Sequence, residues 1–353
     1  MRLLVIPGDG IGPEITAATL DVLAAAEARF GLGLVLSHAE AGEASLAAHG
    51  TTLRPEVLEA ARAADGVVLG PMSTFDYTGQ ENPSRAFRKG LDLFANIRPA
   101  RSFPGVKAPL GAFDLVVVRE NTEGFYADRN MEAGEAEMLV TPDVVVSLRR
   151  ITRRACERIA RAAFRLAETR GRRVAAVHKA NVLKRGDGMF LDACRMVARE
   201  HADVALEEVI VDAMAAHLVR NPARFDVIVT TNMFGDILSD MTAELSGSIG
   251  LGGSLNAGED HAMAQAAHGS APDIAGQDRA NPVSLILSAA MLLRWHGERR
   301  ALPAFGEAAA AIEAAVEAAI AAGEGTREIG GRNGTRAAGR AVAARLASSS
   351  AAA

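Results

Sequence analysis

The chain of 353 residues has only two cysteines, Cys156 and Cys194, and their spacing suits neither a metal site nor a redox pair. Both lie in stretches that read as helix, so a reduced, cytoplasmic setting is expected. No run of sequence approaches the roughly 18–20 apolar residues of a membrane span. The apolar opening RLLVIP is too short for a secretory leader and runs into Gly-Asp-Gly. No membrane partner is therefore expected. Positive charge is not in excess either: 38 Lys and Arg face 43 Asp and Glu, a formal net charge of -5. Nucleic-acid binding needs a basic footprint, so that partner class is excluded. A small anion needs only a local group of basic side chains, which this balance allows. Hydrophobic residues at 49% and charged residues at 23% match ordinary globular usage, enough for a sizeable core.

What is present is an alternation of strands and helices. Residues 2–7 read as a strand, followed by GDGIG and a helix opened by Pro13 and Glu14. Strands are expected near 34–39, 66–70, 114–120, 173–180, 204–211 and 225–232. Helices are expected near 43–50, 55–64, 148–170, 187–200, 282–296 and 303–322. After about 250 the chain reads as Gly-rich loops and Ala-rich helices. This pattern predicts an α/β architecture with a largely parallel sheet. The strand–turn–helix at GDGIGPE mimics a dinucleotide fingerprint. Its glycines, Gly8, Gly10 and Gly12, lack the G-x-G-x-x-G spacing, so a Rossmann fold is not supported.

Four groups of residues carry chemistry. Asp236 and Asp240 follow an apolar strand and stand four apart, so on a helix they share a face. Two such carboxylates suit Mg²⁺ or Mn²⁺; a solvated acidic face capped by Asp236 fits the spacing too. Asp212, at another strand-to-helix junction, is a third candidate ligand. Arg88, Arg98 and Arg119 each sit beside an element end, and their planar forks would suit a substrate with several carboxylates. Lys179 ends an apolar strand, where burial would fit it to act as a base; a lysine snorkelling at a strand end fits equally. Tyr126 is one of only two tyrosines. The loop HGSAPDIAG at 268–276 precedes a helix, and its Asp273 could bind a ribose hydroxyl and repel a 2′-phosphate.

NMFGDILSD together with HGSAPDIAG resembles the β-decarboxylating dehydrogenases, the family of isocitrate, 3-isopropylmalate, homoisocitrate, tartrate and D-malate dehydrogenases. The resemblance runs from GDGIGPE to TREIGGRNGT, nearly the whole chain. It implies a large α/β domain holding both termini (about 1–98 and 253–353) and a smaller α/β domain (99–252) that carries homodimer contacts. It also implies that Asp236 and Asp240, with Asp212 of the partner subunit, hold Mg²⁺ or Mn²⁺. Arg88, Arg98 and Arg119 would grip the malate carboxylates, Lys179 would serve as base from across the dimer, and Tyr126 would assist protonation of the enolate. His268, Gly269, Ala271, Asp273, Ile274 and Asn281 match the adenosine-side loop, and Asn181 matches a residue near the nicotinamide. Asp273-Ile274 is the NAD-type pair.

Two positions depart from the family pattern. Gln265 stands where most members have glutamate, and GLGGSLNAGED lacks the usual proline. Both bear on the expected cofactor contacts. Substrate choice is expected to rest on the turn before Arg88, which offers Asn82, Ser84 and Arg85 instead of an apolar surface. Arg85 and Arg88 are three apart, and an anion beside them would relieve their repulsion. This points to homoisocitrate or isocitrate ahead of isopropylmalate, with tartrate and D-malate as smaller alternatives. VDAMAAHLVRNPARFDV reads more like an isopropylmalate enzyme. A non-catalytic subunit on the same fold is the alternative of another class, but such a chain is expected to lose the lysine, the tyrosine or a metal aspartate.

Overall fold

A computed structural model describes residues 1–73, 77, 79–125 and 136–348. The first part of the chain runs β1 (Arg2–Ile6), α1 (Gly12–Phe30), β2 (Val35–His38), α2 (Glu43–His49), α3 (Pro55–Ala63) and β3 (Gly66–Leu69). The middle runs α4 (Pro83–Gly90), β4 (Ala95–Arg101), β5 (Asp114–Glu120), the hairpin β6 (Glu137–Thr141) and β7 (Val144–Ser147), α5 (Arg153–Glu168), β8 (Arg173–His178), α6 (Gly186–Glu200), β9 (Ala205–Ile210), α7 (Val211–Arg220), β10 (Val227–Thr230) and α8 (Asn232–Leu245). The last part runs β11 (Leu255–Ala257), β12 (Ala262–Gln265), α9 (Val283–Arg300), α10 (Pro303–Ala321) and α11 (Thr335–Ser348).

Among the described residues, ten strands form one sheet in the order β2-β1-β3-β12-β11-β4-β5-β10-β8-β9. The wings β2-β1-β3-β12 and β5-β10-β8-β9 are parallel. Antiparallel pairs of β11 with β12 and β4, and of β4 with β5, join them. Helices cover both faces, and the near-continuous apolar runs of the strands follow from burial on two sides. On the first wing, Leu3 and Val5 pack toward α1, α9, α10 and α11, while Leu4 and Ile6 pack toward α3 and α4. On the second, Val116 and Val118 pack toward α5 and α6, while Leu115 and Val117 pack toward α7 and α8. The alternation is the period of two of a strand, and each fully buried side chain of this size contributes ~1.5–3 kcal/mol.

Three expectations need correction. The helix expected over 148–170 begins only at Arg153, because Thr152 is extended and caps it, its hydroxyl accepting from Ala155 N at 3.2 Å. The stretch after 250 holds strands as well as the expected loops and helices: β11 and β12 lie mid-sheet, their three and four residues too short to show a period. A further helix, α11, packs against α1 and is not among the helices expected from the sequence.

Candidate active site

The antiparallel register of β4 and β5 sets Arg98 opposite Val117 and Asn96 opposite Arg119. Opposed residues and those two apart share a face, so Arg98 and Arg119 emerge together toward α8. α8 begins directly after β10, the parallel neighbour of β5, and brings Asp236 and Asp240 up on successive turns. Arg119 is only 2% exposed. Its Nε and Nη2 donate to Asn232 Oδ1 at 3.0 and 2.7 Å, and its Nη1 is ion-paired with Asp236. Arg98 Nη1 donates to Asp240 Oδ1 at 2.9 Å and to Ser239 Oγ at 2.8 Å, and lies 3.5 Å from Asp236 Oδ1. Gly235 makes this approach possible: a Cβ there would meet the Arg119 side chain at 2.6 Å. Burial raises the Asp240 carboxyl above its ordinary range, while Arg98 pulls it back.

The site lies at the carboxyl ends of β5 and β10, where open α/β sheets bind their ligands. Both carboxylates stay accessible, Asp236 at 35% and Asp240 at 51%, so two hard oxygen donors one turn apart face open space. Arg98 Nε is buried and has no hydrogen-bond partner. These features fit a divalent cation together with an anionic ligand: oxygen donors for one, an orphaned guanidinium donor for the other.

A second pair stands on the same wing, past the ends of β8 and β9. Lys179, just past β8, is ion-paired with Asp212 in the first turn of α7. The expected burial of Lys179 is not what the fold provides: its side chain is 28% exposed, and its neighbour is a carboxylate rather than another cation. Lys179 holds the Asp212 carboxyl below its usual range. The buried Asp187 accepts from the Lys179 backbone N–H and from Arg149, anchoring the loop that carries Lys179 and the exposed Asn181. Among the described residues, no three His, Cys, Asp or Glu side chains are grouped to hold a metal, so Asp212 does not join Asp236 and Asp240 within one chain. Tyr126 lies outside the described residues.

On the first wing, Asn82 caps α4, its side chain accepting from Arg85 N at 3.2 Å. Ser84 is buried, and Arg85 and Arg88 are half-buried on the same helix. The loop 268–281 runs beside the GDGIG turn: Ile11 N donates to Ser270 O at 2.8 Å, and Gly10, at φ 56°, leaves no room for a Cβ against that carbonyl. His268 is half-buried, and burial lowers its pKa, favouring the neutral ring. Gly269 and Asp273 are exposed, Ala271 takes a left-handed conformation, and Ile274 packs at the core edge. Asn281 is buried with Nδ2 unpartnered, an orphan donor that suits a bound ligand. A cleft of about 600 Å³ opens beside Ile274, lined also by Arg279, Arg327 and Asn333.

The comparisons with known proteins decide the family. Residues 2–342 match the isocitrate/isopropylmalate dehydrogenase family. The chain belongs to that family. A 3-isopropylmalate dehydrogenase of Archaeoglobus fulgidus is 42% identical over 331 residues, 94% of each chain. An isocitrate/homoisocitrate dehydrogenase of Thermus thermophilus is also 42% identical, over 333 residues and 94% of each. The crystal structure of isocitrate dehydrogenase from Methylococcus capsulatus superposes with a TM-score of 0.88 at 38% identity, covering 98% of this chain and 99% of that one. The family's shared reaction is oxidative decarboxylation of a 2-hydroxy acid bearing a carboxyl group at C3, with a nicotinamide cofactor and a divalent metal, and this chain is a dehydrogenase of that class. No helix among the described residues is long and apolar enough to cross a membrane. The fold expected from the resemblance, α/β and not Rossmann, is the one found.

Sequence reasoning missed two participants, and it set a third, Gln265, among the cofactor contacts. Asn232 orients Arg119, and Ser239 orients Arg98. Both lie inside NMFGDILSD, where the carboxylates alone suggest ligands. Gln265 reaches across the sheet to α4, a contact between residues far apart in sequence.

Proposed function

We propose that this dehydrogenase oxidises and decarboxylates a 3-substituted malate with NAD and Mg²⁺ or Mn²⁺, its substrate being homoisocitrate or isocitrate. The observation that carries the reading is the joining of Arg98 and Arg119 to Asp236 and Asp240 in one site. Asp236 and Asp240 would hold the metal, with Asp212 of the second subunit as third ligand. Bound there, the metal supplies Lewis acidity for negative charge developing on the substrate oxygens. Arg88, Arg98 and Arg119 would bind carboxylates and fix the C2 hydrogen in line for hydride transfer to the nicotinamide. Lys179 Nζ of the second subunit would take the hydroxyl proton, and Tyr126 would return a proton to C3 after CO₂ leaves.

NAD rather than NADP is supported by Asp273 and Ile274, since a carboxylate at the ribose edge repels a 2′-phosphate. His268, Gly269, Ala271 and Asn281 would complete the adenosine side, with Asn181 near the nicotinamide. Division into a large domain (1–98 and 253–353) and a small one (99–252) is supported by the separate apolar clusters of the two wings. A homodimer is supported by Asp212 standing outside any metal-holding group with Asp236 and Asp240 among the described residues. The hairpin β6–β7 supports it as well, because Leu139 at 71% and Val145 at 58% exposure leave it without apolar cover.

Asn82, Ser84 and Arg85 on α4 favour a substituent bearing a carboxylate over isopropyl. Kinetics of Arg85→Val test this. KM for homoisocitrate should rise at least about tenfold, the loss of one charged contact, while KM for isopropylmalate holds. Equal losses on both substrates would reject the assignment.

A further inference from the structure

Arg149 lies just past β7, and its side chain is drawn inward by the fully buried Asp187. Its Nη2 donates to Asp187 Oδ1 at 2.6 Å and to Thr231 Oγ1 at 3.3 Å. Its guanidinium stands 5.7 Å from the ring centre of Phe125 and 6.0 Å from that of Phe234, within cation–π range. Gly186 leaves it room, since a Cβ there would meet Nη1 at 3.0 Å.

Each of these contacts belongs to a segment that carries a site residue. Asp187 Oδ2 accepts from the Lys179 N–H at 2.5 Å, and Leu183 N closes the turn between them by donating to Lys179 O at 2.8 Å. Thr231 is the N-cap of α8, and its carbonyl accepts at 2.9 Å from Gly235 N, the residue before Asp236. Phe125 directly precedes Tyr126, and Gly124 and Arg150 beside them pair backbone to backbone. The planar Nη2 has two hydrogens, one for each acceptor, and the guanidinium also supplies the charge that a buried Asp187 needs.

We propose that Arg149 is a positioning residue that clamps the Lys179 loop to the start of α8. The inference rests on the functional reading above, in which these two arms serve different sites. Lys179 acts in the partner's site, while Asp236 and Asp240 act in their own. One guanidinium therefore holds the base of one site and the metal-bearing helix of the other.

Arg149→Lys is the informative variant, because an ammonium keeps the charge beside Asp187 and loses the fork. The measurement uses a purified heterodimer in which Asp240→Asn silences the site of the first chain. The working site then takes Lys179 from the first chain and Asp236 and Asp240 from the second. With Arg149→Lys in the first chain, kcat should fall about tenfold or more, while KM for Mn²⁺ stays within roughly twofold. With it in the second chain, KM for Mn²⁺ should rise about tenfold, while kcat stays within roughly threefold. A role in packing alone lowers Tm whichever chain is altered and produces no such split. Constants within about twofold in both placements, or the same change from either, overturn the proposal.

Lys179→Ala in the first chain is the control for the shared site and should abolish turnover. If activity survives it, the shared-site reading fails, and Arg149→Lys in the second chain must then move both constants; no change there overturns the clamp. If the parent oxidises no 3-substituted malate, Mn²⁺ affinity by calorimetry still decides the α8 arm, and an unchanged affinity counts against it. If the lysine variant does not fold, Asp187→Asn keeps an acceptor for the Lys179 N–H and removes the charge that draws Arg149 in. In the first chain it should reproduce the loss in kcat, and an unchanged kcat overturns the proposal.

Discussion

Arg98 on β4 donates to the Asp240 carboxylate on α8 at 2.9 Å, so a cation suited to a substrate carboxylate is bonded to an anion suited to a metal. Arg119 and Asp236 repeat the relationship one turn earlier. A metal at the aspartates and an anion at the arginines would each release the partner of the other. Binding of the two should therefore be positively coupled.

The coupling is measurable by calorimetry without NAD. The affinity for Mn²⁺ should rise about tenfold or more in the presence of substrate, an ordinary coupling of 1–3 kcal/mol. Asp240→Asn should abolish both the coupling and activity. Independent binding of metal and substrate would contradict the exchange.

Asn232 should matter although it is neither acid nor base. Asn232→Ala leaves Arg119 Nε and Nη2 buried without that acceptor, at a cost of about 1–3 kcal/mol. A lower Tm together with a higher KM is expected. An unchanged KM would show that Arg119 keeps its orientation without Asn232.

How much of this was legible follows from the range of each interaction. Asp236 and Asp240 share a helix face by local spacing, and the sequence shows it directly. The apolar runs of β1, β5, β8 and β10 were readable for the same reason. Arg98 and Arg119 could be singled out by residue type, but their convergence depends on the β4–β5 register, which no local pattern encodes. β11 and β12 are short strands between glycines, stabilised by neighbours from both wings. The partners of Gln265 lie some 180 residues away in sequence, which is why the residue stood out only as a departure from a motif.

The shared active site predicts complementation. Lys179→Ala and Asp240→Asn should each be inactive alone. Co-expressed, their heterodimers would pair Lys179 of one chain with Asp240 of the other, restoring up to about a quarter of parental activity for random pairing in a two-fold dimer. No recovery in purified heterodimers would place both residues in the site of one chain.

Stability should depend on pH through Glu123. Burial raises its pKa from 4.5 to about 6, against hydrogen bonds donated by Thr152 N at 2.7 Å and Thr152 Oγ at 2.9 Å. The folded chain holds this proton more tightly than the unfolded chain. The contribution is full below about pH 4.5 and is lost as pH rises through 6, about 2 kcal/mol in all. Denaturant unfolding should show a matching decline between pH 4.5 and 6, flattened in Glu123→Gln. An identical pH profile in the variant would assign the decline to other groups.

The central claim is oxidation coupled to decarboxylation at the Arg98–Arg119–Asp236–Asp240 site, and its most direct test follows NADH and CO₂ together. Homoisocitrate, isocitrate, isopropylmalate, tartrate and D-malate are each supplied with NAD and Mn²⁺. The account predicts equal amounts of the two products, loss of both in EDTA, and the highest kcat/KM with homoisocitrate or isocitrate. Absence of metal-dependent NADH formation on every member would contradict it.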